Sequence, residues 1–415
     1  MRQASSPLSA TLLLLTPMLA LLMAPGCSFY RSVPQGANAM TYAHQVPPGV
    51  TFDMRAGIEL DDDMLMERLR NVRVLFLGEH HMDVRSHRFQ ARMLEALAKA
   101  GRKVTVTLEM YPDAANPALE KWRSGKLEEL EFLEESDWYS HWSFPFGMYR
   151  EVFQVIRRYK MPVYGVNADE DTRKAVRNNE LKELDDALLE EIGDMEGPLE
   201  PQKRYLMDVL TNSGHSNSLK YSSPRFLRYH RVQRLWDQIM GRRTARLAQE
   251  QPPEGITVLL IGSGHLAYGL GANLHAARET ALPQLTIWDT VLSGEDRLEN
   301  GLYWVTVGSA DMVRVYEYQD GPERPEFPSL MGLKLESEEG KDGIKVARIG
   351  MLAGRELAEL KKDDVILALN GTPVKTVTAL RFAYESLPFG KEAELKVLRA
   401  EQELTIKVTP RHSRD

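Results

Sequence analysis

Four short hydrophobic runs mark out strands in the first three quarters of the chain. Residues 72–77, 104–108, 162–166 and 256–261 are nearly continuous apolar segments. Runs of this length are typical of strands that are buried on both faces of a parallel sheet. Apolar residues at helical spacing occupy much of the sequence between them. Strands that alternate with helices predict an α/β domain, with a parallel sheet flanked by crossover helices.

The segments between the strands predict helices of very different length. One helix is expected over residues 85–100, where Phe89 and Met93 share an apolar face, and another over residues 149–159. A long, charged and mostly helical insertion runs from residue 171 to about residue 249, and we expect it to cover the end of the sheet. Residues 285–288 and 303–307 predict two further strands at the sheet's edges.

The N-terminus has the pattern of an export signal. Arg2 precedes an apolar stretch that is too short to span a bilayer comfortably, and small residues lead to Cys27, the only cysteine. The small residues that lead to Cys27 resemble a bacterial lipobox. This resemblance implies a signal peptide at 1–26 and a lipid anchor on Cys27. A cleaved signal with an incidental cysteine is the alternative. By resemblance to bacterial sorting rules, Ser28 after the cysteine favours the outer membrane, facing the periplasm, if the organism is Gram-negative. Residues 27–50 are predicted to be a tether.

Composition limits the classes of partner. The chain has 415 residues, 43% of them hydrophobic, and a formal net charge of −7. A chain of this length and hydrophobic content can form more than one core. The lysines and arginines are spread along the sequence without a basic stretch, so a nucleic-acid partner is not expected.

Polar residues follow each of the four predicted strands. Because ligands of open parallel sheets bind outside the carboxyl ends of the strands, we expect these residues to form one site. They are Glu79, His80 and His81 after the first strand, Glu109 after the second, Asn167 and Asp169 after the third, and Gly262 and His265 after the fourth.

Two kinds of chemistry fit this set. His81, Glu109 and His265 make a two-histidine, one-carboxylate group of the kind that binds zinc or another divalent transition metal. Glu79 is then the candidate general base, and His87 on the following helix would join or orient the set. Alternatively, the same edge presents a ligand surface without catalysis.

The spaced motifs resemble the ChaN family, in the superfamily that includes the Tiki proteins and erythromycin esterase. The matching residues are Gly78 to His81, a stretch with His87 and Gln90, Glu109, Gln233, Asp237, and Gly262 to His265, within residues 70–275.

The resemblance implies two functions. ChaN-like lipoproteins are linked to haem or iron-complex binding and iron uptake, whereas Tiki-like and esterase members are hydrolases or metal-dependent proteases. The resemblance also implies a tyrosine ligand to haem iron, for which Tyr111 and Tyr268 are candidates, and a possible homodimer. The aromatic residues of 138–146 would form a porphyrin wall or, more commonly, a hydrophobic core.

The C-terminal region resembles a PDZ domain. Met331, Gly332 and Leu333 match the carboxylate-binding loop, and residues 360–371 match a family signature, with Asp363 where glycine is usual. The resemblance implies that a C-terminal peptide or protein partner adds as a strand beside residue 335, with 376–387 as the groove helix. The predicted domains are therefore the ChaN-like α/β domain at 51–320 and a small, β-rich PDZ-like domain at 321–415.

Overall fold

The computed structural model describes residues 43–193, 195, 200–212, 220–292, 294–317, 327–330, 332–337, 342–350 and 353–410. The predicted signal peptide at 1–26, Cys27, most of the predicted tether, the start of the PDZ-like segment and Met331 lie outside these ranges. Within them, no helix has both the length and the apolar character needed to cross a membrane.

The strands form one large sheet, one two-stranded ribbon and a separate C-terminal sheet. They are β1 (Ala43–Val46), β2 (Thr51–Asp53), β3 (Ile58–Leu60), β4 (Val74–Glu79), β5 (Lys103–Pro112), β6 (Val163–Asn167), β7 (Gly255–Gly262), β8 (Gln284–Leu292), β9 (Tyr303–Thr306), β10 (Met312–Glu317), β11 (Leu333–Ser337), β12 (Ile344–Ile349), β13 (Val365–Leu369), β14 (Thr372–Pro373), β15 (Ala393–Arg399) and β16 (Gln402–Val408).

Helices connect most of these strands. The described residues contain α1 (Asp62–Leu69), α2 (Val84–Lys99), α3 (Asn116–Arg123), α4 (Glu129–Glu135), α5 (Trp138–His141), α6 (Phe146–Arg158), α7 (Glu170–Asn178), α8 (Asp186–Ile192), α9 (Glu200–Asn212), α10 (Pro224–Gln249), α11 (Ala272–Glu279) and α12 (Val377–Glu385).

The large sheet has the strand order β3-β2-β10-β8-β4-β7-β5-β6. The pairs from β10 to β6 are parallel, while β2 and β3 are antiparallel additions at one edge. One apolar core packs α2 to α6 against one face, and a second packs α10 and α11 against the other. The predicted fold class, a sheet flanked by helices and followed by a small β-rich domain, is confirmed.

Three sequence predictions need correction. Residues 285–288 belong to β8, which lies inside the sheet between β10 and β4. Residues 303–306 form β9, which leaves the sheet and pairs with β1. Strand β1 and the bridge from Pro48 to Val315 fall within the predicted tether, so its last residues are part of the fold. An apolar run alone does not reveal a strand's neighbours, which explains the first two errors.

The C-terminal sheet has the order β11-β12-β13-β15-β16 and its own hydrophobic core. Strand β11 is an edge strand with one side unpaired by any described strand, and Gly332 before it has a φ of +85°. Asp363 adopts a φ of +70°, which is the left-handed conformation that glycine usually supplies. The turn is therefore kept despite the substitution.

Candidate functional site

The carboxyl ends of three neighbouring strands bring the predicted site together. Strand β7 lies between β4 and β5, and Glu79 at the end of β4 is in register with Gly262 at the end of β7. His81 follows β4, and His265 lies in a short 3-10 turn after β7. The side chains of Glu79, His81, Glu109 and His265 are all buried. The four residues predicted from separate motifs thus share one edge of the sheet.

Glu79 is the centre of an inner cluster that also contains His81, His87 and Tyr149. His81 Nδ1 lies 2.8 Å from Glu79 Oε1, and the Tyr149 hydroxyl donates to the same oxygen at 2.8 Å. His87 Nδ1 lies 3.1 Å from Glu79 Oε2. Burial opposes ionisation of Glu79, but the charges and hydrogen bonds of His87 and His81 hold its pKa below the usual range. This geometry fits a residue that orients two histidines and does not fit the predicted general base.

His265 is the centre of a pocket cluster formed with Glu109, Asp237 and Gln233. Its Nε2 lies 3.2 Å from Glu109 Oε1 and its Nδ1 lies 2.6 Å from Asp237 Oδ1. Gln233 Nε2 lies 2.8 Å from the same Nδ1. Burial lowers the pKa of His265, but the charges of Glu109 and Asp237 outweigh it and raise the pKa to about 10. Burial also raises the pKa of Asp237 to about 6.

The pocket cluster does not fit the predicted metal site. Both His265 nitrogens face carboxylates, and among the described residues no group of three or more His, Cys, Asp or Glu is arranged to hold a metal ion. The structure therefore does not support His81, Glu109 and His265 as metal ligands.

Gly262 is needed where β7 ends beneath His81. A Cβ on Gly262 would come within 2.6 Å of His81 Cε1 and 2.9 Å of His81 Nε2. The Gly262 N–H also donates to Glu109 Oε2. On its other side, the His81 ring packs edge-on against Trp142, at 4.9 Å between centroids. His81 is thus held between a bare stretch of backbone and an aromatic wall.

A pocket opens above the pocket cluster, between the sheet edge and helices α9 and α10. Its water-accessible volume is about 140 Å³. Its lining includes polar residues of the sheet edge, namely Glu79, His80, His81, Gly262 and His265, and residues of the two helices, namely Gln202, Tyr205, Leu206, Val209, Leu210, Tyr229, Gln233, Trp236 and Asp237. An apolar pocket with a few convergent polar groups is the usual form of a small-molecule site. The predicted cover over the sheet's end is thus supplied by α9 and α10.

The other residues predicted to bind ligand divide into two groups. His80 and Gly262 line the pocket. Gln90 donates to the Leu77 carbonyl at 3.2 Å, Asn167 donates to the Glu109 carbonyl at 2.8 Å, and Asp169 caps α7 through Thr172 N. These three side chains support the backbone around the site and make no part of the pocket lining.

The structure places Tyr111, one candidate iron ligand, outside the pocket lining. Its side chain is fully buried, and its hydroxyl lies 2.7 Å from Ser136 Oγ, inside the aromatic core. Tyr268 packs edge-on against Tyr205, which lines the pocket, at 5.7 Å between ring centroids. The aromatic residues of 138–146 are mainly core, although Trp142 and Phe144 contact His81.

Sequence reasoning included Gln233 and Asp237 in the family resemblance without placing them in the site, and it gave no role to Gln202 or Tyr149. Asp237 and Gln233 lie one turn apart on α10, and Gln202 Nε2 donates to Asp237 Oδ2 at 2.5 Å from α9. The i, i+4 spacing of Gln233 and Asp237 on one helix face was the available signal. Nothing local marks Tyr149, whose partner Glu79 is 70 positions away.

Comparisons with known proteins agree with this architecture. A family model described as haem-binding uptake, Tiki superfamily, ChaN matches residues 65–275, and a PDZ domain model matches residues 329–409. No curated protein matches the chain.

Three solved structures align with parts of the chain. ChaN of Campylobacter jejuni, which binds haem cofacially, aligns with a TM-score of 0.50 and 18% identity over 64% of this chain and 95% of that one. A Bacillus cereus protein aligns at 12% identity with a TM-score of 0.37, over 66% of this chain and 95% of its own. The HtrA-type protease AlgW with a decapeptide aligns at 16% identity with a TM-score of 0.19, over 20% of this chain and 29% of that one.

Proposed function

The chain belongs to the haem-binding uptake family ChaN of the Tiki superfamily, and we propose that it binds haem or a related iron complex in the pocket above His265. The observation that carries the proposal is the pocket's composition. Leu206, Val209 and Trp236 provide apolar walls for a porphyrin, while the tyrosines Tyr205 and Tyr229 bring phenol oxygens to the same space. Apolar walls with a few oriented polar groups fit a large planar ligand.

Tyr229 is the proposed ligand to the iron. The Tyr229 side chain lines the pocket, and the Arg225 guanidinium carbon lies 5.9 Å from the centre of its ring. Burial raises the pKa of Tyr205, and its ring packs against Tyr268, so its phenolate is less accessible. The haem would supply the iron centre, and the chain's part is to hold and shield it.

Haem titration of the purified full chain tests this assignment. We expect a Soret band that saturates at a fixed ratio of haem to protein. Tyr229→Phe should shift the band and weaken binding by about tenfold or more, while Tyr205→Phe, the matched loss of the other phenol, should change it less. A flat spectrum with the wild-type chain under oxidising and reducing conditions would contradict the proposal.

We further propose that the protein is a lipoprotein of the cell envelope that serves iron uptake. The support is the lipobox-like stretch that leads to Cys27 and the family's association with haem uptake. Cys27→Ser should release the protein from the membrane fraction, and a deletion strain should grow poorly when haem is its iron source. A Cys27→Ser protein that still fractionates with the outer membrane would refute the anchor.

The PDZ domain is proposed to recruit a C-terminal peptide or protein partner. Gly332 and Leu333 lie at the start of the edge strand β11, where an added strand can pair. Immobilised peptides with free carboxyl ends should retain the chain, and Gly332→Val should reduce retention. A homodimer stays a prediction, which light scattering with and without haem would test.

Hydrolysis is the second candidate function. The observation that favours it is His81, which lines the pocket while its Nδ1 is held by Glu79. A histidine with one nitrogen fixed by a carboxylate has the arrangement of a general base. A panel of ester and peptide substrates, assayed with and without chelator, tests it. No turnover above that of His81→Ala would reject this candidate.

A further inference from the structure

The PDZ helix α12 packs directly on the main domain. Thr376 at its start donates to Glu134 Oε1 at 2.8 Å. One turn further, the Arg381 guanidinium carbon lies 5.6 Å from the centre of the Tyr139 ring. Phe382 packs against the aromatic core of the main domain. One face of the predicted groove helix is thus an interface within the chain.

Glu385 at the end of α12 caps helix α6 of the main domain. The first N–H groups of a helix have no partner within the helix, and the residue before α6, Pro145, provides no side-chain cap. Gly147 N donates to Glu385 Oε2 at 3.4 Å, and the Phe146 N–H faces the same carboxyl. Glu385 is 7% exposed. A side chain from one domain therefore completes a helix of the other.

The capped turn leads straight to the inner cluster. Tyr149 lies two residues after Gly147 on α6 and donates its hydroxyl to Glu79 Oε1, which also holds His81. The Trp138 ring packs edge-on against Tyr149 at 5.3 Å between centroids. A displacement of the first turn of α6 would thus reach the residue that orients His81.

The same face of α12 also reaches the peptide groove. Arg381 donates from Nη2 to the Leu333 carbonyl at 3.1 Å. Leu333 opens β11, whose other edge pairs with β12. A peptide that adds beside β11 needs backbone acceptors on this open edge. Arg381 therefore sits between the position of an incoming strand and the Tyr139 ring.

We propose that α12 couples the peptide groove to the pocket, with Glu385 and Arg381 as positioning residues. In the docked state Glu385 holds the first turn of α6, and through Tyr149 and Glu79 it fixes His81. A peptide that takes the Leu333 carbonyl displaces Arg381 and loosens this cap. The inference concerns regulation of the pocket on which the proposed function rests, and its tests need no haem.

Amide hydrogen exchange in the full chain tests the cap. Glu385→Ala should speed exchange at residues 146–149 by about tenfold or more, the effect of a loss near 1.4 kcal/mol in local stability. Glu385→Gln should stay close to wild type because its amide oxygen still accepts the N–H groups. Glu394→Ala, an exposed glutamate on β15, is the matched control. Unchanged exchange in Glu385→Ala, or an equal change in the control, would overturn the cap's role.

Ring nitrogen signals of His81 and His87 in ¹⁵N-histidine NMR spectra test whether the effect reaches the pocket. Both signals should shift in Glu385→Ala and return in Glu385→Gln. If exchange in α6 changes while both signals stay fixed, transmission to the pocket is refuted. Failure of haem binding by the wild-type chain would refute the proposed function and leave this result standing.

Retention on immobilised random decapeptides with free carboxyl ends tests the groove side. Because Arg381 competes for the Leu333 carbonyl, Arg381→Ala should be retained several-fold more than wild type. Arg348→Ala, an exposed arginine on β12, should behave as wild type. Equal or lower retention of Arg381→Ala would overturn the coupling.

Discussion

The inner cluster and the pocket cluster lie on one sheet edge but differ in their central side chain. The inner cluster is built around a carboxylate, and the pocket cluster is built around an imidazole. In the inner cluster a single carboxylate, Glu79, receives three donors. In the pocket cluster a single imidazole, His265, is held by two carboxylates. The pKa of Glu79 is therefore lowered, and that of His265 is raised to about 10. The side chain at the centre of each cluster keeps its charge because the surrounding residues compensate it.

The two clusters also differ in how far they are open to a ligand. The inner cluster packs against aromatic side chains, with 4.0 Å between the centroids of the Tyr149 and His87 rings, and Glu79 and His81 carry it to the pocket lining. The pocket cluster borders the open space beneath α9 and α10. His81 belongs to the inner cluster and also lines the pocket. It is therefore a residue through which the inner cluster can contact a bound ligand.

Removing His265, the centre of the pocket cluster, should cause the largest loss of stability. His265→Ala leaves Glu109 and Asp237 buried without their shared partner, and an uncompensated buried charge costs about 3–5 kcal/mol. Urea unfolding of the purified protein measures the loss. His141→Ala, an exposed histidine, serves as the control. A loss below 1 kcal/mol would mean that the two carboxylates tolerate each other.

Neutralising Glu79, the centre of the inner cluster, should cause a smaller loss of stability. Glu79→Gln keeps the shape of the side chain but weakens hydrogen bonds that involve a charged acceptor, each worth about 1.5–3 kcal/mol. Urea unfolding should therefore show a smaller loss than for His265→Ala. An equal or larger loss would reverse the ranking of the two clusters.

Stability should respond to pH at opposite ends of the scale. The raised pKa of His265 means that the folded chain keeps a proton which the unfolded chain releases near pH 6.5, so this contribution falls between pH 6.5 and about 10. The lowered pKa of Glu79 means that its contribution is present above pH 4.5 and is lost at lower pH. Unfolding midpoints of wild type, His265→Gln and Glu79→Gln from about pH 2 to 10 check both signs. The alkaline slope should shrink only in His265→Gln.

The smallest expected effect is that of Tyr149→Phe. It removes one of three donors to Glu79 and keeps the ring in place. A single hydrogen bond to a charged group contributes about 1.5–3 kcal/mol, and we expect the low end of this range because other donors remain. Urea unfolding should show a loss of this size, together with shifted His81 and His87 ring signals. A loss without any change in those signals would argue against its orienting role.

The sequence was sufficient for the core of the fold and for the location of the site. Strands β4, β5, β6 and β7 follow from their apolar runs, and the polar residues after them meet because parallel strands end at one edge. The position of β8 inside the sheet could not be inferred, because its register depends on contacts with β4 and β10 that leave no local pattern.

The partners within the site were harder to predict than its location. Asp237 reaches His265 from a 26-residue helix, and the family resemblance that included Asp237 did not indicate which strand end this helix would face. The metal prediction followed from residue types alone, whereas the protonation of His265 depends on two carboxylates that only the fold brings together. Likewise, nothing in residues 376–387 indicated that the groove helix would complete α6.

Strand β1 determines how far the protein can stand from a membrane. With the proposed anchor on Cys27, only positions 28–42 separate the lipid from β1, which is fastened to β9. Fifteen residues extend by about 50 Å at most, since each adds roughly 3.3–3.6 Å. The ribbon of β1 and β9 must then stay within that distance of the bilayer. The anchor would therefore keep the protein close to the membrane and limit the partners that the peptide groove can reach.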